Sequence, residues 1–402
     1  MLTAGYFLVI LVFEPMKILV NGTILLAPLT GIGQYVRHLF NAMDKLENAE
    51  IRMFYGLRCE QGINPPSSGS TQAAQQGYAL VKRFLPRPRS IKKLAERALF
   101  RHHTRRGSGN ELYHEPNFIP LPYNGPVVVT IHDMSCFDCP QSHPAERVQL
   151  MQRELPTAIE KADHIVVVSS ATSEALRKWF NVESKRITVI HHAADPRFQP
   201  AAYNTLKPAL TRLGLEPGSY VLSLGTLEPR KNLTTLFAAY AALPTALRQR
   251  YPLVVAGAKG WHTHGLLKSA GELIQRGELR LLGYVADYLI PPLYAGAAAF
   301  CYPSRYEGFG LPVLEAMASG VPVITSNTTS LPEVVGDAGL TVNPDDVDGL
   351  REYLQQLLED QTYAHQLGQR GLVRSRLFSW DRCAKETFNV YEKVMFARGY
   401  KL

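Results

Sequence analysis

The sequence predicts an α/β protein built from two doubly wound domains. A chain of 402 residues exceeds one ordinary hydrophobic core, and two domains of roughly 150–200 residues are expected. A strand–helix alternation begins at Ile18–Val20 and a second one at Tyr220–Leu224. Alternation of this kind is typical of parallel sheets covered by helices on both faces. A third observation, the stretch Tyr306–Gly320, suggests where a ligand binds.

This stretch joins two apolar segments that are typical of buried strands. It contains a loop interrupted by Gly308 and Gly310, then a short helix with Pro312 near its first turn and Gly320 just past its end. The glycines would let the backbone approach a ligand, and the helix N-terminus would favour an anion. Glu307 and Glu315 flank this cradle with seven residues between them. A cradle that binds phosphate, flanked by two carboxylates that accept hydrogen bonds from hydroxyls, suits a sugar nucleotide as ligand.

The stretch resembles the Glu-x7-Glu motif of the retaining glycosyltransferases of family 4, and the resemblance extends from about Met16 to the C-terminus. It implies the GT-B fold, in which two Rossmann-like domains face each other across a cleft. It also implies that Glu307 contacts hydroxyls of the donor sugar and that Glu315 holds the ribose. A capped helix with two surface glutamates is the alternative interpretation of the motif.

Domain boundaries follow from composition and from the two alternations. The last segment is expected, by resemblance, to cross back onto the N-terminal domain. The predicted segments are an apolar N-terminal extension (1–15), an acceptor-side domain (16–200), a linker (201–217), a donor-nucleotide domain (218–380) and a C-terminal helix (381–402).

Charge and cysteine content limit the compartment and the partners. The net charge of +8 favours anionic partners, and five cysteines form no recognisable disulfide framework, so a reducing cytosol is expected. The extension before Met16 is too short to span a membrane and lacks a basic n-region. We interpret it as an upstream start or an added tail; a short membrane anchor is the alternative.

A glycine pair follows the first predicted strand. Gly31 and Gly33 are expected in a loop before a helix, and the resemblance places such a loop facing the donor or acceptor. Position 36 is Val36, so the sequence lacks the third glycine of a dinucleotide-binding fingerprint. This argues against an NAD-dependent oxidoreductase.

A basic segment follows, Lys82–Arg106, with ten Lys or Arg residues and one acid, Glu96. An apolar stripe at helical spacing within it comprises Ile91, Leu94, Ala95, Ala98 and Leu99. One interpretation is a surface helix packed on its own domain, and the other is a helix that meets anionic lipid headgroups. Nucleic acid is not expected as a partner, because few aromatic residues interrupt the basic ones.

A histidine ends the strand Val127–Ile131. Ligand residues in open α/β sheets lie at the carboxyl ends of strands, which is the position of His132. By resemblance His132 contacts the donor sugar. The spacing of His132, Cys136, Cys139 and His143 raises a zinc site as an alternative, but structural zinc sites keep a longer separation between ligand pairs. No metal is therefore expected.

Two cations follow the first strand of the second domain. Arg230 and Lys231 stand before Asn232, a good helix N-cap, where cations meet a diphosphate. The match Gly-x-x-x-x-Arg-Lys-Asn to the family supports a functional role rather than solvated surface charge. The predicted catalytic residues are His132, Arg230, Lys231 and Glu307. The predicted donor-binding residues are Gly31, Gly33, Gly225, Thr226, Tyr284, Val285, Gly308, Phe309, Gly310, Leu311 and Glu315.

The predicted activity is transfer of a hexosyl group, with retention, from a nucleotide-diphosphate sugar to a saccharide acceptor. The segment Ala256–Trp261 resembles mannosyl- and rhamnosyltransferases of O-antigen-type polysaccharide assembly, which favours a GDP-linked donor. A lipid-linked saccharide is the expected acceptor, at the inner face of the cytoplasmic membrane. No cofactor is expected. The alternatives are a UDP-sugar-dependent transferase, a sugar-nucleotide epimerase of the same fold and a non-catalytic binding module.

Overall fold

Two sheets form the framework of the protein. The computed structural model describes residues 14–27, 31–64, 88–105, 110–261, 265–266 and 270–400. The strands are β1 (Met16–Asn21), β2 (Ala49–Phe54), β3 (Cys59–Gln61), β4 (Glu111–Glu115), β5 (Val127–Ile131), β6 (His164–Val167), β7 (Ile187–Val189), β8 (Val221–Leu224), β9 (Leu253–Ala256), β10 (Leu279–Gly283), β11 (Ala299–Tyr302), β12 (Val323–Ser326) and β13 (Leu340–Val342).

Helices follow most of these strands. In chain order they are α1 (Gly31–Met43), α2 (Pro88–Arg105), α3 (Ser135–Asp138), α4 (Ala145–Lys161), α5 (Ser170–Phe180), α6 (Tyr203–Thr211), α7 (Leu233–Ala241), α8 (Thr245–Arg250), α9 (Gly271–Gln275), α10 (Ile290–Ala295), α11 (Leu311–Ala318), α12 (Leu331–Val335), α13 (Val347–Glu359), α14 (Gln361–Ser375) and α15 (Trp380–Ala397).

Strand order places a switch point in each sheet. The first sheet has the order β3-β2-β1-β4-β5-β6-β7 and the second the order β10-β9-β8-β11-β12-β13. Strand β3 runs antiparallel to β2, whereas β8 pairs in parallel with both β9 and β11. From β8 the chain continues through β9 to β10 at one edge of the sheet, and from β11 it continues through β12 to β13 at the other edge. Ligands of open α/β sheets bind at such a point, outside the carboxyl ends of the strands.

The second sheet is buried on both faces, because alternate side chains of each strand point to opposite faces. One apolar cluster contains Leu222, Val254, Ala256, Phe300, Tyr302 and Val323. The other contains Val221, Leu253, Val255, Ala299, Cys301 and Ile324. Helices cover both clusters, so the strand ends are held rigidly where the polar loops begin.

The described residues divide into two compact units. The first unit comprises those up to Val129, Lys161–His164 and those from Ala384 onward; the second comprises Thr130–Glu160 and Ile165–Cys383. Within the first unit, the hydroxyl oxygen of Tyr391 on α15 lies 2.5 Å from the Nδ1 atom of His114 on β4. The domain boundaries predicted from the sequence stay a prediction.

One sequence-based expectation is wrong in detail, and the structure adds detail to two others. Gly31 and Gly33 lie in the first turn of α1 rather than in a loop before it. The predicted linker, 201–217, contains the helix α6. The predicted apolar stripe of α2 is largely exposed at Leu94, Ala95 and Ala98, and the buried anchor of this helix is Phe100, whose ring packs edge-on against Phe54 at 5.1 Å.

Some of the predicted features lie outside the described residues. Residues 1–13 of the N-terminal extension, and residues 82–87 and 106 of the basic segment, lie outside the described residues. Strand β1 begins at Met16, as the sequence indicates. Within the described ranges, no helix combines the length and the apolar character that a bilayer crossing requires.

Candidate active site

The predicted cations lie at the switch point of the second sheet. Arg230 and Lys231 form a short 3-10 turn between β8 and α7, and Glu307 lies in the loop that follows the neighbouring strand β11. Parallel strands end at the same edge of a sheet, so residues far apart in sequence meet there. The sheet order therefore explains how a motif near residue 230 and a motif near residue 307 build one site.

Glu307 is bonded to both cations. The Nζ atom of Lys231 lies 2.6 Å from Oε1 of Glu307 and 2.6 Å from the hydroxyl of Tyr302. A guanidinium nitrogen of Arg230 donates to Oε2 of Glu307 at 2.9 Å. Lys231 is 8% exposed and Glu307 7%. Charged groups are buried in proteins when they are paired in this way.

Glu228 completes the cluster, and the sequence analysis assigned it no role. Its carboxylate is 2.5 Å from Nε of Arg230 and 3.9 Å from Nζ of Lys231, and the residue is 4% exposed. Two cations thus face two carboxylates. The sequence signal was its place two residues before Arg230 in the turn after β8, where a carboxylate can reach the adjacent guanidinium.

Burial and ion pairing shift the pKa values within this cluster. Burial alone would raise the pKa of Glu307, but Arg230 and Lys231 outweigh it and hold the pKa at about 2. Burial and the neighbouring Arg230 lower the pKa of Lys231, and Glu307 opposes this change. Burial lowers the pKa of Arg230, while Glu307 and Glu228 raise it by more. The site therefore presents two basic side chains, each bonded to the Glu307 carboxylate.

Hydroxyl side chains fix the loop that contains Glu307. Ser304 donates to Oε1 of Glu307 at 2.6 Å, and the backbone N–H of Glu307 donates to the hydroxyl of Thr329 at 3.1 Å. Ser330 donates to the carbonyls of Glu307 and Phe309 at 2.9 and 2.8 Å. The residues after β12 thus hold the loop after β11, so the Glu307 carboxylate has a defined position.

Gly308 serves a contact within the protein. A Cβ atom at this position would lie 1.8 Å from the carbonyl oxygen of His132, so no other residue fits. The structure gives Gly308 a packing role against the backbone after β5, and its predicted approach to a ligand stays a prediction. His132 itself is buried and packs against His192, with ring centroids 5.6 Å apart. Gly310 adopts a left-handed backbone with φ of 111°.

Glu315 lies in the middle of α11, about one turn from its start, as the sequence indicates. Its carboxylate accepts a hydrogen bond from the hydroxyl of Tyr294 at 2.9 Å. Burial raises the pKa of Glu315 to about 8; the hydrogen bond from Tyr294 lowers the pKa by less than burial raises it, and the nearby Asp195 adds a smaller increase. Unlike Glu307, this carboxyl has no cation bonded to it among the described residues.

Comparisons with known proteins agree with this geometry. A model of "Glycosyltransferase Family 4" matches residues 29–198, and one of "Glycosyl transferases group 1" matches residues 213–374. An O-antigen chain mannosyltransferase B of Escherichia coli is 38% identical over 373 residues, covering 91% of this chain and 96% of that protein. The chain belongs to family 4 of the glycosyltransferases. Members of this family are retaining enzymes that transfer sugars.

Two further comparisons bear on the sugar and on the fold. A serotype-specific mannosyltransferase WbdA of Escherichia coli is 34% identical over 240 residues, covering 59% of this chain and 29% of that longer protein. The sucrose-phosphate synthase of Thermosynechococcus elongatus superposes with a TM-score of 0.72 at 21% identity, covering 96% of this chain and 100% of that one. The predicted GT-B fold is thereby confirmed.

The remaining predicted donor-binding residues have mixed environments. Tyr284 follows β10 and is 73% exposed, whereas the side chain of Val285 is buried in the core of this family 4 protein. Thr226 is exposed, Phe309 is buried, and Leu311 is half-buried. Gly31 and Gly33 belong to the first unit, while the others belong to the second. The donor-binding roles of all these residues stay predictions.

Side-chain contacts also show how two helices begin. Asn232 precedes α7, but its amide donates to the carbonyls of Pro303 and Pro344 at 3.1 and 2.6 Å instead of capping the helix, so the cap predicted there is wrong. Asp346 accepts from the N–H of Gly349 at 2.9 Å and so caps the N-terminus of α13. Across the described ranges, no three His, Cys, Asp or Glu side chains are grouped to hold a metal ion.

Proposed function

We propose that the protein transfers mannose, with retention of configuration, from a GDP-linked donor to a saccharide acceptor in cell-surface polysaccharide biosynthesis. The observation that carries the proposal is the pair of basic side chains, Arg230 and Lys231, that are both bonded to Glu307 at the switch point of the second sheet. The two Escherichia coli relatives, both mannosyltransferases by name and one of them of the O-antigen chain, support the sugar and the pathway.

The cations suit the chemistry of the leaving group. When the bond between C1 of the sugar and the phosphate oxygen breaks, negative charge develops on the nucleoside diphosphate. Arg230 and Lys231 stabilise that charge, and Glu228 and Glu307 keep both cations in place before the reaction begins. Preorganised charge of this kind acts without the cost of reorienting solvent.

Retention follows from attack on the same face that the leaving group departs from. The acceptor oxygen forms a bond to C1 as the bond to phosphate breaks, and the acceptor proton passes to the departing phosphate oxygen. This route requires no protein nucleophile. His132 and Glu307 orient the sugar ring, and Glu315 accepts hydrogen bonds from the ribose hydroxyls.

The exposed face of α2 supports a membrane-bound acceptor. Leu94 of this helix is 71% exposed, its Arg97 and Arg101 are exposed, and Leu57 of the preceding segment is 75% exposed. His103 of the same helix contacts the carbonyl of Leu57 at 3.2 Å. Apolar and basic side chains on one helix suit an anionic lipid surface. We therefore place the enzyme on the inner face of the cytoplasmic membrane, with a lipid-linked saccharide as acceptor.

The proposal is tested by incubating the protein with labelled GDP-mannose, UDP-glucose or ADP-glucose and a mannose-terminated oligosaccharide that carries an aliphatic aglycone. We expect an elongated product with an α-mannosidic bond from GDP-mannose alone. A parallel thermal-shift series should show stabilisation by GDP. Transfer from UDP-glucose instead would overturn the donor assignment. Isomerised or hydrolysed sugar nucleotide without an elongated product would indicate an epimerase.

A further inference from the structure

A chain of three hydrogen-bonded side chains starts beside the active-site cations. Asp133 follows β5, and its Oδ1 accepts from the hydroxyl of Ser135 at 2.5 Å and from the N–H of Ser135 at 2.9 Å. The Ser135 hydroxyl in turn lies 2.7 Å from Nε2 of His143. Ser135 is fully buried and His143 is 5% exposed. All three residues belong to the second unit.

The chain determines the tautomer of His143. Arg230 and Ser135 outweigh burial and lower the pKa of Asp133, so its carboxylate can only accept hydrogen bonds. The single hydroxyl hydrogen of Ser135 is used for that carboxylate. The Ser135 oxygen must then accept from His143, which requires the hydrogen of the imidazole to be on Nε2. The Nδ1 atom is consequently a hydrogen-bond acceptor.

This acceptor is buried and lacks a partner. No side chain or backbone group among the described residues bonds to Nδ1 of His143. Burial, together with the charges of Arg147 and Arg230, lowers the pKa of His143 to about 4, so the imidazole stays neutral at neutral pH. An unsatisfied buried acceptor is costly, and a native protein that retains one usually gains from it.

The surroundings indicate what the missing partner is. Trp261, half-buried, packs its ring against His143 with centroids 5.9 Å apart and donates its N–H to the carbonyl of Ser142 at 2.6 Å. A Cβ atom on Gly308 would lie 2.8 Å from Cβ of Asp133, so the chain that ends at His143 starts beside the loop of Glu307. Phosphate oxygens in a diester carry no hydrogen to donate to Nδ1. A sugar hydroxyl does, and sugars accompany the diphosphate.

We propose that Nδ1 of His143 accepts a hydrogen bond from a hydroxyl of the transferred or the accepting sugar, and that His143 thereby determines sugar specificity. The inference rests on the proposed function, which supplies the saccharide. Asp133 and Ser135 are positioning residues that act through His143. Sites that bond to a substrate hydroxyl discriminate strongly against sugars that lack it, because the buried group is then left unpaired.

Two substitutions separate this role from a structural one. In His143→Gln the side-chain amide can still donate to Ser135 but provides no acceptor at the Nδ1 position. In His143→Asn the amide oxygen replaces Nδ1, while the bond to Ser135 is lost. We expect His143→Gln to lower kcat/KM about tenfold to hundredfold at a nearly native Tm. We expect His143→Asn to keep most of kcat/KM and to lower Tm.

Deoxygenated sugars identify the hydroxyl and the sugar that carries it. Each donor and acceptor analogue lacks one hydroxyl of the transferred mannose or of the terminal acceptor mannose. For the native enzyme, we expect one analogue to give a much lower kcat/KM than the complete sugar. For His143→Gln, we expect the same analogue and the complete sugar to give similar kcat/KM values. A donor analogue assigns His143 to the transferred sugar, and an acceptor analogue assigns it to the accepting one. Equal losses for every analogue in both proteins would show that Nδ1 binds water rather than sugar and would overturn the inference.

The outcomes are distinguishable from a failure of the proposed function. Binding of GDP-mannose and of the oligosaccharide is also measured by calorimetry, without turnover. Weaker binding of one sugar ligand to His143→Gln supports the inference even if no mannose is transferred. Native kinetics and native binding in His143→Gln refute it even if transfer is confirmed. Should His143→Gln unfold, Ser135→Ala, which frees the tautomer, must show a smaller loss in the same direction.

Discussion

Lys231 lies with its ammonium between Glu307 and Tyr302, where solvent screening is weak. We expect Lys231→Ala to lower kcat far more than it raises the KM for the donor, because the lost charge acts on the leaving diphosphate. A loss of about 2–4 kcal/mol in transition-state stabilisation is typical of such groups. Steady-state kinetics with GDP-mannose measures it.

A matched control is needed, because removal of a buried cation leaves Glu307 partly unpaired. Lys185→Ala removes an exposed lysine whose partner is the exposed Glu183, and we expect native rates. Glu228→Ala is unsuitable as a neutral control, since Glu228 is buried against Arg230. If Lys231→Ala retains a native kcat and a native Tm, Lys231 does not serve the leaving group.

Glu315 predicts a pH dependence of nucleotide binding. Since burial raises its pKa to about 8, the carboxyl is neutral at lower pH and becomes a carboxylate above it. A carboxylate accepts stronger hydrogen bonds from ribose hydroxyls than a neutral carboxyl does. We expect the Kd for GDP to fall roughly fivefold as pH rises from 6 to 9, which corresponds to about 1 kcal/mol. Calorimetry at several pH values measures it.

Glu315→Gln is the control for this dependence, because glutamine keeps an acceptor for Tyr294 and cannot ionise. Its Kd should vary little over the same pH range. Glu315→Ala should raise the KM for the donor with a smaller change in kcat, as expected for a contact present in ground and transition states. A native Kd for GDP in the alanine variant would exclude Glu315 as the ribose ligand.

Among the elements, α2 gives the clearest prediction of a partner. We expect the change of Lys92, Lys93, Arg97 and Arg101 to Glu to abolish co-sedimentation with phosphatidylglycerol vesicles and to spare transfer to a water-soluble acceptor. Each basic residue near an anionic surface contributes about 1 kcal/mol, and the contribution decays with salt. Native binding should accordingly weaken steeply as salt is added.

A charge-matched variant shows whether vesicle binding depends on the position of the basic residues or only on the net charge. Reversal of four exposed basic residues of the second unit, Lys185, Lys207, Arg250 and Arg276, alters the net charge equally. We expect this variant to sediment with vesicles nearly as well as the native protein. Similar losses in both variants would mean that overall charge governs binding rather than α2. The exposed Leu94 then has no membrane role.

The elements that the sequence predicts well are those with a strong local pattern. The strands β5, β8 and β11 are short apolar segments buried on both faces, and α11 has proline at its start and Gly320 after its end. Local patterns do not reveal the contacts that depend on tertiary structure. Gly308 is required by the carbonyl of His132, which is 176 residues away in sequence. The buried face of α2 is set by Phe54 and Tyr113, and not by its own periodicity.

Only those site residues that stand in sequence motifs could be predicted. Arg230, Lys231, Glu307 and Glu315 stand in motifs, whereas Glu228 and Ser304 gain their roles from contacts formed after folding. The tautomer of His143 depends on a hydrogen-bond chain that no spacing rule describes. Sequence motifs thus located the cations, and the structure was needed to find the groups that hold them.

At the scale of the whole molecule, strand order brings the turn with Glu228, Arg230 and Lys231 and the distant Glu307 to one sheet edge. The positive charge that a divalent ion would bring to a diphosphate is supplied here by side chains. We therefore expect transfer from GDP-mannose to proceed at the same rate in excess EDTA, measured by product formation over time. A control reaction of a metal-dependent glycosyltransferase in the same buffer must stop.

The Lys231→Ala variant provides a second test of the role of metal ions. If Lys231 supplies charge to the leaving group, Mg²⁺ or Mn²⁺ has no prepared ligands with which to replace it, because Glu228 and Glu307 are bonded to Arg230 as well. We expect neither ion to restore activity to Lys231→Ala. Loss of native activity in EDTA, reversed by adding either ion, would contradict a mechanism based on Arg230 and Lys231. In that case Glu228 and Glu307 would be the first side chains to test as metal ligands.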